Sequence, residues 1–207
     1  MTNATSFANR APIHPASLAD YQRWEQLLRK WNARINLVAP DSLDHFWNRH
    51  ALDSAQILPL VTERDRTIVD FGSGAGFPAL ALAIDAKHQN ADRHIHMIES
   101  VGKKASFLKS VSRETALPAT IHAARIEALP SLQADLITAR AFAPLGRILP
   151  LAMHHLGPDG RILLLKGANV AHEIKDAQLD WSFDTKLQPS MTEGGGQILL
   201  INELKPR

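Results

Sequence analysis

Cysteine is absent from the 207 residues. Its absence excludes disulfides, Cys-ligated zinc, iron–sulfur clusters and any reaction through a thiolate nucleophile. Aromatic residues make up only 6%, with a single tyrosine. No uninterrupted apolar run approaches the ~20 residues that a membrane-spanning helix needs, and residues 1 to 16 carry no apolar signal-peptide core, so a cytoplasmic location is expected. Neither sign of charge is in excess: 23 Lys and Arg stand against 21 Asp and Glu, a net charge of +2. Binding to nucleic acid would therefore need a local basic patch rather than bulk charge. The ten histidines show no two-His spacing on one clear helix face, and no metal is expected.

What is present is ordinary for a globular chain, 45% hydrophobic and 21% charged. The length suits one domain with an added segment. Its organising stretch is Thr67 to Leu80. A β-branched run, Thr67-Ile68-Val69, leads to Asp70, then to glycines at 72, 74 and 76, then to an apolar run that can begin a helix at Pro78. That reads as strand, tight turn, helix, with the glycines letting the backbone turn sharply and a ligand approach. A dinucleotide loop would space its glycines Gly-x-Gly-x-x-Gly and seat a pyrophosphate on the helix. The spacing here is Gly-x-Gly-x-Gly after an acid, which favours a ligand without pyrophosphate, such as S-adenosyl-L-methionine. A plain glycine turn of an α/β protein is the simpler alternative.

Before this stretch, residues 1 to 16 read as a flexible leader and 17 to 60 as a helical segment. Leu18, Tyr21, Trp24, Leu27, Leu28 and Trp31 recur at helical spacing, with Ser17 as a plausible N-cap. A second helix is expected from Asp41 or Ser42 to Leu58, with Phe46, Trp47, His50, Ala51 and Ser54 on one side and Asn48, Arg49 and Asp53 pointing elsewhere.

After it, residues 61 to 207 read as alternating strands and helices, packed as one unit with 17 to 60. Expected strands are His94 to Ile98, Thr120 to Ala123, Asp135 to Thr138 and Arg161 to Leu165, the last following a turn at Gly157 to Gly160. A terminal antiparallel pair, Phe183 to Leu187 with Gln197 to Leu204, closes the sheet. The order predicts a mostly parallel α/β sheet covered on both faces, with a ligand crevice at the strands' carboxyl ends. Glu99 ends the second strand, where a carboxylate can accept two hydrogen bonds from ribose hydroxyls. Ile126-Glu127 follow the third strand, where an adenine edge is commonly met, and Arg140 ends the fourth as the leading substrate-facing charge.

The chain resembles the glucose-inhibited division protein B family, bacterial small-subunit ribosomal RNA guanine-N7 methyltransferases. The blocks that carry the likeness run from about Tyr21 to the last strand: Lys30-Trp31-Asn32 with Asn36-Leu37, Arg49-His50 with Asp53-Ser54, Asp70 to Pro78, Lys103-Lys104 with Phe107-Leu108, Arg125-Ile126-Glu127, Ala139 to Ala143, and Leu165-Lys166-Gly167. The resemblance implies a class I S-adenosylmethionine-dependent methyltransferase fold with seven strands. It implies cofactor contacts from Gly72, Phe77, Ile126, Glu127 and Arg140, with Gly74 and Gly76 shaping the loop. Two departures stand out, Ala79 and Glu99, where many relatives have glycine and aspartate.

Guanine N7 has a lone pair and no proton, so displacement at a sulfonium methyl needs alignment but no general base. That agrees with a chain in which no acid–base pair stands out, and no catalytic base is assigned. Asn36, Arg49, His50 and Lys166, with Arg140, are expected on the RNA side, Arg140 or Lys166 reaching guanine O6 or a phosphate. The expected partner is small-subunit ribosomal RNA or its particle, met by a monomer. Competing readings are a methyltransferase acting on another RNA, a protein or a small molecule; a nucleotide-dependent oxidoreductase; and a non-catalytic RNA-binding module.

Overall fold

The computed structural model describes residues 3–192 and 194–207. Its centre is a seven-stranded sheet: β1 (Thr67–Phe71), β2 (His94–Ile98), β3 (Ala119–His122), β4 (Ala134–Arg140), β5 (Leu156–Lys166), β6 (Trp181–Pro189) and β7 (Gln197–Pro206). The spatial order is β3-β2-β1-β4-β5-β7-β6, parallel from β3 to β5, with β7 antiparallel to β5 and β6 antiparallel to β7. The order reverses beside β1, so the connections that follow the paired strands β1 and β4 leave in opposite directions and open a crevice at the strands' carboxyl ends. This is the α/β arrangement with an antiparallel edge hairpin that the sequence predicts.

Alternation along the strands sorts the core into two layers. Ile68, Ile95 and Met97 face α2 (Leu18–Asn32), α3 (Ala79–His88) and α4 (Gly102–Glu114). Val69, Ile98 and Ile137 face α5 (Leu145–His155) and α6 (Val170–Ala177). The helix α3 buries almost every side chain from Ala79 to Ile84, because it lies between the sheet and α2 rather than at the surface.

The N-terminal segment differs from the expected flexible leader and from the second of its two expected helices. Residues Ala4–Arg10 form α1, capped by Asn3, whose Oδ1 accepts from Ser6 N at 2.9 Å. Phe7 is fully buried between Tyr21 and Trp47, and with Ala4 packed on the core and Arg10 Nη1 donating to Asn48 Oδ1 it docks a short helix that its own length would not sustain. Residues 1 and 2 of the leader lie outside the described residues. Ser17 does not cap α2; its hydroxyl donates back to His14 O at 2.6 Å.

The helix expected from 41 to 58 is broken into a short turn at Pro40–Leu43, a π-helical stretch at Phe46–Leu52, and helical turns at Asp53–Ala55 and Leu58–Leu60. The wider π turn still buries Phe46, Trp47, His50 and Ala51 together. The turn expected at Gly157 to Gly160 is an excursion inside β5: Ala134 pairs with Leu156, and the next pair is Leu136 with Arg161.

Candidate functional site

The glycine turn after β1 takes the form its sequence requires. Gly72 has φ +66° and Gly76 φ +92°, both in the left-handed region. A Cβ on Gly72 would collide with the ring of Phe142 from the tip of β4, so a side chain at 72 would require that partly exposed ring to move. The turn is held from outside as well. Glu99 Oε2 accepts from Gly74 N at 2.9 Å and its Oε1 from Val101 N at 2.7 Å. Trp24 Nε1 donates to Ala75 O at 3.2 Å. Thus Glu99, expected to meet a ribose, also braces the loop; each carboxylate oxygen retains a second lone pair for a diol.

Beneath the turn, Asp70 is fully buried, and burial pushes its carboxyl up to about 7. Its Oδ1 accepts from Thr138 Oγ1 at 2.7 Å, while Oδ2 has no partner among the described residues. Next to the turn, β4 ends in Arg140, followed by Ala141 at φ +50°, a conformation that strains a non-glycine residue.

Arg140 is clamped by the N-terminal segment. Its Nη1 lies 3.1 Å from Asp53 Oδ2 and Nη2 lies 3.0 Å from His50 Nδ1, while Cζ sits 5.1 Å from the centre of the Phe77 ring. The Asp53 contact is ionic but off the hydrogen-bonding direction, which leaves Nη1 without a directed acceptor. His50 stacks on Phe77 with ring centres 4.5 Å apart. Desolvation, then the charges of Arg140 and Arg49, drive the His50 pKa down to about 3. It is therefore neutral, accepting at Nδ1 and carrying its proton on Nε2, which is buried without a partner among the described residues.

A cavity of about 620 Å³ opens beside this clamp, between the N-terminal segment and the β6–β7 connection. Arg49, Asp53, Gln56, Arg140, Lys166 and Ser190 are among its walls. Lys166 Nζ is committed inside the protein, 2.6 Å from Glu173 Oε2 and 3.0 Å from Ala143 O. Arg49 is exposed at the rim and pairs with no carboxylate among the described residues.

Of the residues singled out in the sequence, Gly72, Gly74, Gly76, Phe77, Glu99 and Arg140 therefore gather at the carboxyl ends of β1, β2 and β4. Ile126 and Glu127 form a 3₁₀ turn after β3, with Ile126 buried and Glu127 exposed. Arg49 and Lys166 reach the cavity and His50 backs it. Asn36 does not: it is exposed on the connection after α2, and its neighbour Asn32 holds that connection through Leu37 N and Val38 N.

The sequence reading missed Gln56, Ser190 and Thr192, and left Asp53 without a role. Gln56 Nε2 donates to Asp53 Oδ1 at 2.7 Å, and Gln56 Oε1 accepts from Met191 N at 2.6 Å. Thr192 Oγ1 lies 3.3 Å from Asp53 Oδ1. The sequence signals for Asp53 are its place in the Asp53-Ser54 block that carries the family likeness and the expectation that it points away from the buried side of its helix. Outside the crevice, His96 Nδ1 and His122 Nε2 meet at 2.9 Å across β2 and β3, but no group of three or more His, Cys, Asp or Glu suited to a metal occurs among the described residues.

Comparison with known proteins agrees with this geometry. The family model described as rRNA small subunit methyltransferase G matches residues 17–201. The ribosomal RNA small subunit methyltransferase G of Rhodospirillum centenum is 44% identical over 204 residues, 99% of this chain and 92% of that one. Its counterpart in Paramagnetospirillum magneticum is 42% identical over 195 residues, 94% of this chain and 93% of that one.

Among solved structures, a SAM-dependent methyltransferase from Aquifex aeolicus aligns with TM-score 0.60 at 13% identity, covering 86% of this chain and 98% of that one. M. jannaschii TYW2, solved in complex with AdoMet, aligns with TM-score 0.56 at 12% identity over 84% of this chain and 80% of that one. These two likenesses show the class I methyltransferase fold. The matched span takes in both the glycine crevice and the helical segment that clamps Arg140, and the chain belongs to the rRNA small subunit methyltransferase G family.

Proposed function

We propose that this chain transfers a methyl group from S-adenosylmethionine to N7 of a guanine in small-subunit ribosomal RNA, in the cytoplasm and as a monomer. The observation that carries this reading is the family match across residues 17–201, which spans the whole crevice and the cavity beside it. The residues fit such a cofactor. The bare Gly72 leaves backbone room under Phe142, the Glu99 carboxylate stands at the β2 tip for a vicinal diol, and Phe77 and Arg140 close the other side. When bound, the cofactor supplies an electrophilic methyl on a cationic sulfur.

What the chain supplies is alignment. Glu99 and Trp24 fix the loop on one side, and Arg140, held by Asp53 and His50, faces the cavity on the other. N7 attacks with its own lone pair, so no side chain must take a proton. The low basicity of His50, whose Nδ1 already accepts from Arg140, and the partnering of Lys166 by Glu173 suit that chemistry, because neither is set up as a base. Arg49 at the rim is placed for a phosphate of the RNA, with Arg140 placed nearer the base.

The test is transfer of label from tritiated S-adenosylmethionine to small ribosomal subunits from cells lacking this activity, with total protein and transfer RNA as parallel acceptors. Label in the small-subunit RNA is expected. Label confined to protein or to a small molecule would favour the alternative methyltransferase readings, and cofactor-independent RNA binding without transfer would favour a binding module.

A further inference from the structure

Asp53 touches two regions that otherwise share no residue. Its Oδ2 faces Arg140, and through Arg140 the His50–Phe77 stack beside the glycine turn. Its Oδ1 faces Gln56 and Thr192, and through Gln56 the backbone of Met191 on the β6–β7 connection. Ser190 Oγ adds bonds to both sides of the same network, accepting from Gln56 Nε2 at 3.0 Å. Burial works against the charge of Asp53, and the guanidinium of Arg140 is the leading influence that keeps it ionised. Burial likewise opposes the charge on Arg140, and Asp53 restores it. The two groups are mutually dependent, both with less than a fifth of the side chain exposed.

From this placement we infer that Asp53 is a positioning residue that links the cofactor side of the site to the RNA-facing cavity: one carboxylate oxygen aims Arg140 and the other holds the β6–β7 rim. The inference rests on the assignment of Arg140 to the cofactor in the preceding section. Asp53 also serves the charge balance of the reaction. Methyl transfer moves one positive charge from sulfur to the guanine ring, and an unpaired guanidinium beside that path would oppose it. Pairing with Asp53 offsets the charge of Arg140 beside that path.

The experiment is a double-mutant cycle on cofactor affinity, read by calorimetry with S-adenosylmethionine on the full chain, with Tm recorded for every variant. Arg140→Gln is expected to weaken binding by about tenfold or more, the scale of a lost hydrogen bond to a charged group. Asp53→Asn, which keeps shape and loses charge, is expected to weaken it by about fivefold or more and to lower Tm because Arg140 is left unpaired, and Asp53→Glu to recover part of both losses. In the Arg140→Gln background, Asp53→Asn is expected to add nothing, because its effect on cofactor travels through Arg140. Gln56→Leu, which cuts the other arm, is expected to raise KM for the ribosomal RNA while cofactor Kd stays within about twofold.

If Arg140→Gln leaves Kd unchanged, the cofactor assignment of Arg140 falls and the inference with it. If Arg140→Gln weakens binding while Asp53→Asn does not, or if their effects multiply in the double variant, the assignment stands and the linking role of Asp53 is overturned. Equal effects of Gln56→Leu and Asp53→Asn on cofactor Kd would also overturn it, since the two arms would then not be separable.

Discussion

The indole Nε1 of Trp24 donates to the carbonyl of Ala75 across 3.2 Å, joining a helix near the N-terminus to the glycine turn 51 residues later. Trp24 is fully buried, and its ring lies 5.1 Å from that of Phe77. The N-terminal segment is thus part of the site's wall. Trp24→Phe keeps most of the packing and deletes the donor, leaving Ala75 O without it. A loss of about 1–3 kcal/mol in urea unfolding is expected, together with weaker cofactor binding. Full stability with unchanged affinity would show that the brace contributes nothing.

Gly72 offers a sharper probe of the turn. Alanine there would be strained by the positive φ, at about 1 kcal/mol, and would drive its Cβ into Phe142. Gly72→Ala is expected to abolish measurable cofactor binding. Phe142→Ala in the same chain is expected to restore a part of it by removing the collision while leaving the backbone strain. Full binding by the single variant would mean that the fit between the turn and the β4 tip has no bearing on the cofactor.

Asp70 makes stability depend on pH in the less familiar direction. Its carboxyl ordinarily titrates at 3.8, and in the folded chain near 7, so between those values the folded state holds the extra proton. Stability is therefore expected to decline as pH rises from about 4 to about 7 and to level off above. Asp70→Asn cannot ionise, so its stability relative to the parent is expected to be more favourable at pH 8 than at pH 5. Urea unfolding at the two values measures this; a difference that does not change with pH would contradict it.

His50 acts in the opposite sense. Its ordinary value of 6.5 falls to about 3 on folding, so the unfolded chain takes up the proton first as pH drops. The contribution is complete above 6.5 and is lost as pH falls towards 3. His50→Asn, which keeps an acceptor for Arg140, is expected to lose stability less steeply than the parent over that window. Parallel stability curves would place the acid sensitivity elsewhere.

The parts of this fold that were legible in the sequence are those set by local pattern. The β-branched run before Asp70 and the alternating glycines specify the turn, and the strand ends that follow place Glu99 and Arg140 at one edge. Illegible parts depend on partners far along the chain. Phe7 docks only because Tyr21 and Trp47 form its pocket, so its helix carries little signal of its own. The π turn at Phe46–Leu52 keeps a helix-like burial pattern, and so reads as an ordinary helix. Gln56 meets Met191 across 135 residues, a pairing that no spacing rule reveals. Asn36 belongs to a block that carries the family likeness, yet it is exposed on a connection held by Asn32 and is not among the residues that line the cavity.

The most direct measurement is the position of the methyl group in the RNA. Small-subunit RNA methylated by this chain is reduced with borohydride and cleaved with aniline, a treatment that breaks the strand where a guanine carries a methyl on N7. Scission at one guanine, dependent on both S-adenosylmethionine and an intact Arg140, is the expected result. Methylated RNA that resists cleavage, or that breaks at the same position with Arg140→Gln at full rate, would contradict a site in which Arg140 helps present guanine N7 to the cofactor.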